Sequence, residues 1–300
     1  MKSSLKYLTF VAVLAIGAGV LGGAQDALSS EKKAKKHEQV AATPSDGEDA
    51  AEEETGHGAA AKEEEEEEAG GHGVKWSYEG KTGPNRWAKL SKDFRLCGGG
   101  TTQSPIDISA LTGTSVEPIE FDYNLTPVEI VHNGHTVQVN YQPGSGITVG
   151  GKRYELLQFH FHSPSEHSVA GRQAAMELHF VHQSADGELA VVGILMEAGE
   201  ENMALRETWA MMPKKAGRPR LEERVLINAR DLLPRDKGYY RYMGSLTTPP
   251  CSEGVNWYLL TQPISVGIEQ VQKFAAAVDP NNRPTQALNN RLVLAPMAGE

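Results

Sequence analysis

The 300-residue chain has little of what a membrane-spanning, nucleic-acid-binding or all-helical protein needs. Past its first 25 residues no segment is apolar enough to cross a bilayer as a helix, which takes about 20 mostly apolar residues, so a bundle of several spanning helices is excluded. An excess of positive charge is also missing. The formal net charge is −10, and the one lysine cluster, Lys32-Lys33-Ala34-Lys35-Lys36, is too short to argue for a nucleic-acid partner. There is no internal repeat, which excludes a solenoid. Stretches of helical periodicity are few and short. The chain has two cysteines, Cys97 and Cys251, so it can form at most one internal bridge.

What is present falls into three parts. Met1 to Ala24 reads as a secretory signal: Lys2 and Lys6 give a positive start, Leu8 to Val20 is uncharged and mostly apolar, and Gly22-Gly23-Ala24 offers small residues for cleavage. The uncharged run from Tyr7 to Gln25 is just long enough to stay as an anchor instead. Its glycines and small-residue end favour cleavage, with no membrane insertion afterwards and a periplasmic or secreted location. Residues 25–72 are a different polymer. Glu63 to Glu68 are consecutive glutamates, and residues 31–72 hold 14 acidic and five basic side chains. With almost no aromatic or β-branched residue to bury, this acidic linker is expected to be disordered. His37, His57 and His72 could bind metal weakly beside the glutamates, but a solvated spacer is the simpler account. Residues 73–300 lie near charge balance and are long enough for one sizeable core.

Within that domain the patterns are mostly strands and turns. Val128 to Val131 and Thr136 to Val139 alternate around Asn133-Gly134, a strong turn signal. Gly146 to Val149, Tyr154 to His162, Ala174 to His182, Leu189 to Met196 and Val255 to Leu260 also read as strands. Helical candidates are Met203 to Met212 and Ile268 to Ala277, the second ended by Asp279-Pro280 and Pro284. The fold class is therefore a β-dominated α+β domain around a large central sheet. Export to an oxidising compartment favours a Cys97–Cys251 disulfide over two unrelated buried thiols. Closing so long a loop is worth at most about 4–5 kcal/mol in the chain-entropy model.

The chemistry concentrates in Gln158-Phe159-His160-Phe161-His162 and Glu177-Leu178-His179. Side chains alternate along a strand, so His160 and His162 share one face while Phe159 and Phe161 turn to the other. Met176 to Val181 alternates likewise and puts Glu177 on the face of His179. A lone strand histidine is usually structural. Three that two neighbouring strands can aim at one point, with no fourth protein ligand, have the pattern of a catalytic zinc site with one open position.

Further landmarks appear in a fixed order: Gln103-Ser104-Pro105-Ile106-Asp107, Asn133-Gly134-His135, the two histidine segments with Ser165-Glu166-His167 between them, Gly244 to Cys251 reading GSLTTPPC, and Asn282-Arg283-Pro284. With them, the chain from Trp76-Ser77-Tyr78 to Arg291 resembles an α-class carbonic anhydrase of the exported bacterial type. The resemblance implies a mixed, mostly antiparallel sheet of about ten strands with the metal at the bottom of a conical cleft. It implies zinc as cofactor, carbon dioxide and bicarbonate as partners, and reversible hydration by attack of zinc-bound hydroxide. A homodimer is one option for its assembly.

It also implies roles at matching positions. His160, His162 and His179 are the metal ligands, oriented by Gln158, by a backbone carbonyl near Asn281, and by Glu177. Thr247 donates to Glu166 and aims the attacking oxygen. Val181, Val191, Leu246, Val255 and Trp257 form the apolar substrate pocket, with Thr248 as a weaker polar contact. His135 is the proton shuttle, its ordinary pKa of about 6.5 suiting it to load and unload near neutrality. Tyr78, Asn133 and Gln138 order water towards it. Gln138 stands where an asparagine is common and Ser163 where an aromatic residue is. His167 reads as structural, and His132 and His182 are set aside because their strand parity is opposite to the site. Ser104-Pro105 and Pro249-Pro250 are candidate cis peptides by the same resemblance. A non-enzymatic binding module on this fold would more readily have lost one of the three histidines, and a metal-buffering protein would work through the acidic segment instead.

Overall fold

A computed structural model describes residues 73–297. The signal stretch and the acidic segment anticipated above lie outside the described residues. The alternating segments assemble into one large mixed sheet. Its main path runs, in spatial order, Arg220–Ile227, Thr126–His132, Val137–Asn140, Lys152–His162, Met176–Ser184, Leu189–Gly199, Glu253–Leu260, Tyr239–Ser245, Val293–Pro296 and Leu111–Thr114. Glu120–Asp122, Gly146–Val149 and Ile264–Gly267 join it from the side. Most neighbours are antiparallel. Leu189–Gly199 runs parallel to Glu253–Leu260 and to Ile264–Gly267, and Val293–Pro296 parallel to Leu111–Thr114. This agrees with the mostly antiparallel sheet of about ten strands and few short helices expected above.

Both faces of the sheet are covered, and the strand period decides what goes where. On one face Phe159, Phe161, Leu178, Phe180, Val192 and Ile194 are fully buried, each worth about 2 kcal/mol of apolar transfer. Phe274 of the helix Ile268–Ala275 closes over Phe161 and Trp209 there. Gln270 of that helix turns its Oε1 back to accept the Gly267 amide at 3.0 Å, which satisfies a donor at the helix start. On the other face Ile106, Val191, Tyr242, Val255, Trp257 and Leu259 form a second apolar cluster.

Both anticipated helices form, the first as Arg206–Ala210 preceded by a helical turn. What the periodicity does not reveal is a series of short helical turns between Gly80 and Gly99. None is long enough to show a 3.6-residue pattern. They are held by burial of Trp87 and Phe94 and by the disulfide from Cys97 to Cys251. Ser104-Pro105 and Pro249-Pro250 are cis, as is a third bond, Ser163-Pro164.

Candidate metal centre

Register builds the site. The strand carrying His179 pairs antiparallel with the strand carrying His160 and His162, with His179 opposite His160 and Glu177 opposite His162. A slip of one residue between these strands would send His179 to the face opposite His160 and His162. Instead, one donor nitrogen from each of His160, His162 and His179 lies within 4.8 Å of the others. Beyond Val181 the register shifts. His182 then faces the core, where its Nε2 meets the Tyr123 hydroxyl at 2.9 Å.

Each imidazole is oriented through its other nitrogen. Gln158 Oε1 lies 2.9 Å from His160 Nδ1, the Asn281 carbonyl 2.7 Å from His162 Nδ1, and Glu177 Oε1 2.8 Å from His179 Nε2. An acceptor at those positions fixes the N–H there. The nitrogens left over are Nε2 of His160, Nε2 of His162 and Nδ1 of His179, and they face one another. Nε2 of His162 is buried without any hydrogen-bond partner, an orphan that a bound cation would satisfy. Burial, and then the neighbouring His162 and His179, hold His160 well below its ordinary range. Burial lowers His162 as well. For His179 burial acts downward, but the Glu177 carboxylate outweighs it and the net shift is upward. Three imidazoles whose unengaged nitrogens converge in a buried place fit a divalent ion of borderline softness, zinc among them, which would displace any proton from His179.

Glu177 is the hub behind the triad. It is fully buried, and its carboxylate accepts four hydrogen bonds: His179 Nε2 and His167 Nδ1 on Oε1, and the backbone amides of Glu166 and His167 on Oε2. Burial alone would raise its pKa, but His167 and His179 outweigh it and hold the carboxyl well below the usual range. His167 continues the chain of contacts to the Tyr242 hydroxyl at 2.7 Å, and Tyr242 donates to Ser104 Oγ at 2.8 Å.

Glu166 is also fully buried. Its Oε1 accepts the Arg283 amide at 2.9 Å. Its Oε2 has no hydrogen-bond partner and lies 3.6 Å from His162 Nε2 and 4.0 Å from His179 Nδ1. The bond from Thr247 to Glu166 implied by the resemblance is therefore not made in this structure, because Oε1 is turned to Arg283 and Oε2 towards the histidines. Thr247 itself is buried in the loop after Tyr239–Ser245, and the Cys251 amide donates to the Thr248 carbonyl at 2.8 Å. The Arg283 guanidinium is buried and donates to the carbonyls of Ser104 and Cys97.

The five apolar candidates come together: Val191, Val255 and Trp257 sit in the second cluster, with Val181 and Leu246 packed against it. The polar candidates also adjoin. Asn133 Nδ2 donates to Gln138 Oε1 at 3.4 Å, and Gln138 Nε2 to Asn140 Oδ1 at 2.6 Å. His135 is half-buried in its turn. Its ring lies flat on Trp76, 3.7 Å between centroids and 8° between planes, with Tyr78 edge-on at 6.5 Å. Ser163 leaves the strand, where its amide donates to Asn281 Oδ1 and its hydroxyl to the Ala175 carbonyl.

Sequence reasoning missed several contributors. The side chain of Asn281 donates to the carbonyls of His135 and Phe161. His167 bridges Glu177 to Tyr242, Arg283 fixes Glu166, and Trp76 supports the His135 ring. Asn281 adjoins the landmark Asn282-Arg283-Pro284 and Arg283 lies within it, and that was the available signal for them.

Fold and site together define a class: a β-sheet protein with a buried three-histidine cluster fit to hold a metal ion. Comparison with known proteins narrows it. Residues 82–297 match the family described as eukaryotic-type carbonic anhydrase. A carbonic anhydrase of Nostoc sp. is 44% identical over 226 residues, 74% of this chain and 86% of its own length. One from Neisseria gonorrhoeae is 43% identical over 228 residues, 75% and 90% respectively. The solved α-carbonic anhydrase of Thermovibrio ammonificans, in complex with the inhibitor sulfanilamide, superposes with a TM-score of 0.72 at 41% identity, covering 74% of this chain and all of that one. The chain belongs to the α-carbonic anhydrase family. It is an enzyme of that kind, and membership implies hydration of carbon dioxide.

Proposed function

We propose that the protein converts carbon dioxide and water reversibly to bicarbonate and a proton at a zinc centre held by His160, His162 and His179, with His135 relaying the proton. The convergence of three donor nitrogens, each with its opposite nitrogen already engaged, carries this reading. Zinc in that place would supply the charge that makes water acidic enough to act as a nucleophile near neutral pH. The chain's own residues do the rest. Three neutral ligands add no negative charge to offset the ion. The apolar side chains of Val181, Val191, Leu246, Val255 and Trp257 suit a nonpolar substrate, with Thr248 at its edge. Thr247, buried beside the site, would orient the attacking oxygen, while Glu166 is held by the Arg283 amide with its free Oε2 towards the histidines. His135 takes the released proton along a path lined by Tyr78, Asn133 and Gln138. Export to the periplasm or beyond is part of the same reading and is supported by the disulfide.

The test is a hydration assay on wild type and His179→Ala, with metal content measured in both. Wild type should hold about one zinc per chain and turn over rapidly, and the variant should lose both. Equal activity in the two would refute the assignment.

A further inference from the structure

The turn that carries His135 has a hydrogen-bond partner for every backbone amide. Asn133 donates to the Thr136 carbonyl, and Asn133 Oδ1 accepts the amides of His135 and Thr136. The remaining amide, that of Gly134, donates to Nδ1 of His132 at 3.0 Å. With Nδ1 accepting, the ring proton sits on Nε2, which donates to the Ala277 carbonyl at 2.9 Å. The backbone carbonyl of His132 in turn accepts the Gly217 amide. His132 is 7% exposed, so these bonds are shielded from competing water.

One side chain therefore joins the turn to the segment after the helix Ile268–Ala275. That segment leads to Asn281, which donates to the His135 carbonyl and places its own carbonyl against His162. His132 and His135 line a common cavity of about 210 Å³ with Trp76, Tyr78, Asp279 and Asn281. Gly134 has a φ of +87°, and as a glycine it has no Cβ to hold it in that conformation once its amide is released.

We propose that His132 is a positioning residue for proton transfer, clamping Gly134 to Ala277 and so fixing the base on which the His135 ring turns. The proposal rests on His135 being the proton relay. Loss of the clamp loosens the turn and leaves the histidine triad and the apolar pocket untouched. The step that slows is the proton transfer, which limits kcat at low buffer, and not carbon dioxide conversion, which is read in kcat/KM.

The experiment compares His132→Ala with His132→Gln. A glutamine carries one acceptor and one donor group, as the imidazole does here, and it does not titrate. In His132→Ala, kcat at low buffer should fall about threefold to tenfold, the weight of one or two lost hydrogen bonds. Added imidazole should restore it, and kcat/KM should stay within about twofold of wild type. His132→Gln should restore low-buffer kcat. Amide exchange of Gly134 in the metal-free protein should lose protection in the alanine variant and keep it in the glutamine variant. A glutamine variant as slow as the alanine variant would mean that the imidazole itself relays protons, and would overturn a positioning role. So would parallel losses of kcat and kcat/KM, or a full low-buffer kcat in His132→Ala. His135→Ala serves as the control. If it shows no loss at low buffer, the relay reading has failed; if it does while His132→Ala does not, the clamp alone has failed.

Discussion

Replacing Glu177 with glutamine changes one oxygen to an NH₂ group and removes a charge, at a carboxylate that accepts four hydrogen bonds with no exposure to solvent. The amide oxygen can serve only one side of the hub. Facing the backbone, it keeps the amides of Glu166 and His167 and sets the NH₂ against Nε2 of His179. Facing the imidazoles, it leaves two buried backbone donors unsatisfied, at about 1–3 kcal/mol each. The first arrangement therefore wins, and His179 can relieve it by moving its proton from Nε2 to Nδ1. That atom is its donor towards His160 and His162, so a proton there blocks a metal ligand. Metal-free stability should fall by about 1–3 kcal/mol, and zinc affinity by about 10- to 100-fold, the usual range for losing a group that orients a ligand. Glu177→Ala leaves all four donors unpaired and should destabilise the fold more. Competition with a chromophoric chelator gives the affinity, and nitrogen shifts of the His179 ring in the metal-free protein report the tautomer. A Glu177→Gln protein that binds zinc within about twofold of wild type would refute this reasoning.

Two other outcomes follow from buried or cross-linked groups. Burial holds the His182 imidazole down at about 3, against about 6.5 in an unfolded chain. The unfolded state alone binds this proton between those values, so stability should drop as pH falls from about 6.5 towards 3, by up to about 5 kcal/mol. In urea unfolding of metal-free protein, wild type should lose stability more steeply over that window than His182→Gln, and parallel curves would count against a neutral buried ring. Cys97 and Cys251 are 154 residues apart, so replacing both with serine should cost up to about 5 kcal/mol in the chain-entropy limit. It should also reduce hydration activity, because the bridge to Cys97 tethers residue 251, whose amide holds the Thr248 carbonyl in the loop beside Thr247; an unchanged melting temperature and full activity would contradict both statements.

Strand parity suffices to bring His160, His162 and His179 together, because a period of two and one antiparallel pairing fix all three positions. Two of their orienting groups are equally legible. Gln158 and Glu177 each stand two residues before their histidine on the same strand face, so chemistry and geometry are both local. The third is not. A backbone carbonyl can come from any residue type, and the one facing His162 belongs to Asn281, 119 residues away; only the family resemblance points to its place. His167 escapes for a related reason: it lies outside the regular strands, where parity carries no information, and its contact with Glu177 exists only once the chain is folded. His132 shows the limit of the parity rule most clearly. Its parity does turn it away from the three-histidine cluster, but parity says nothing about what packs over the other face. There the chain end of a distant helix offers the Ala277 carbonyl, and the turn beside it offers the Gly134 amide. Side chains whose partners are nearby side chains can be read from the order of residues, whereas those whose partners are backbone groups of remote segments cannot, since the residue types of those segments carry no mark of the contact.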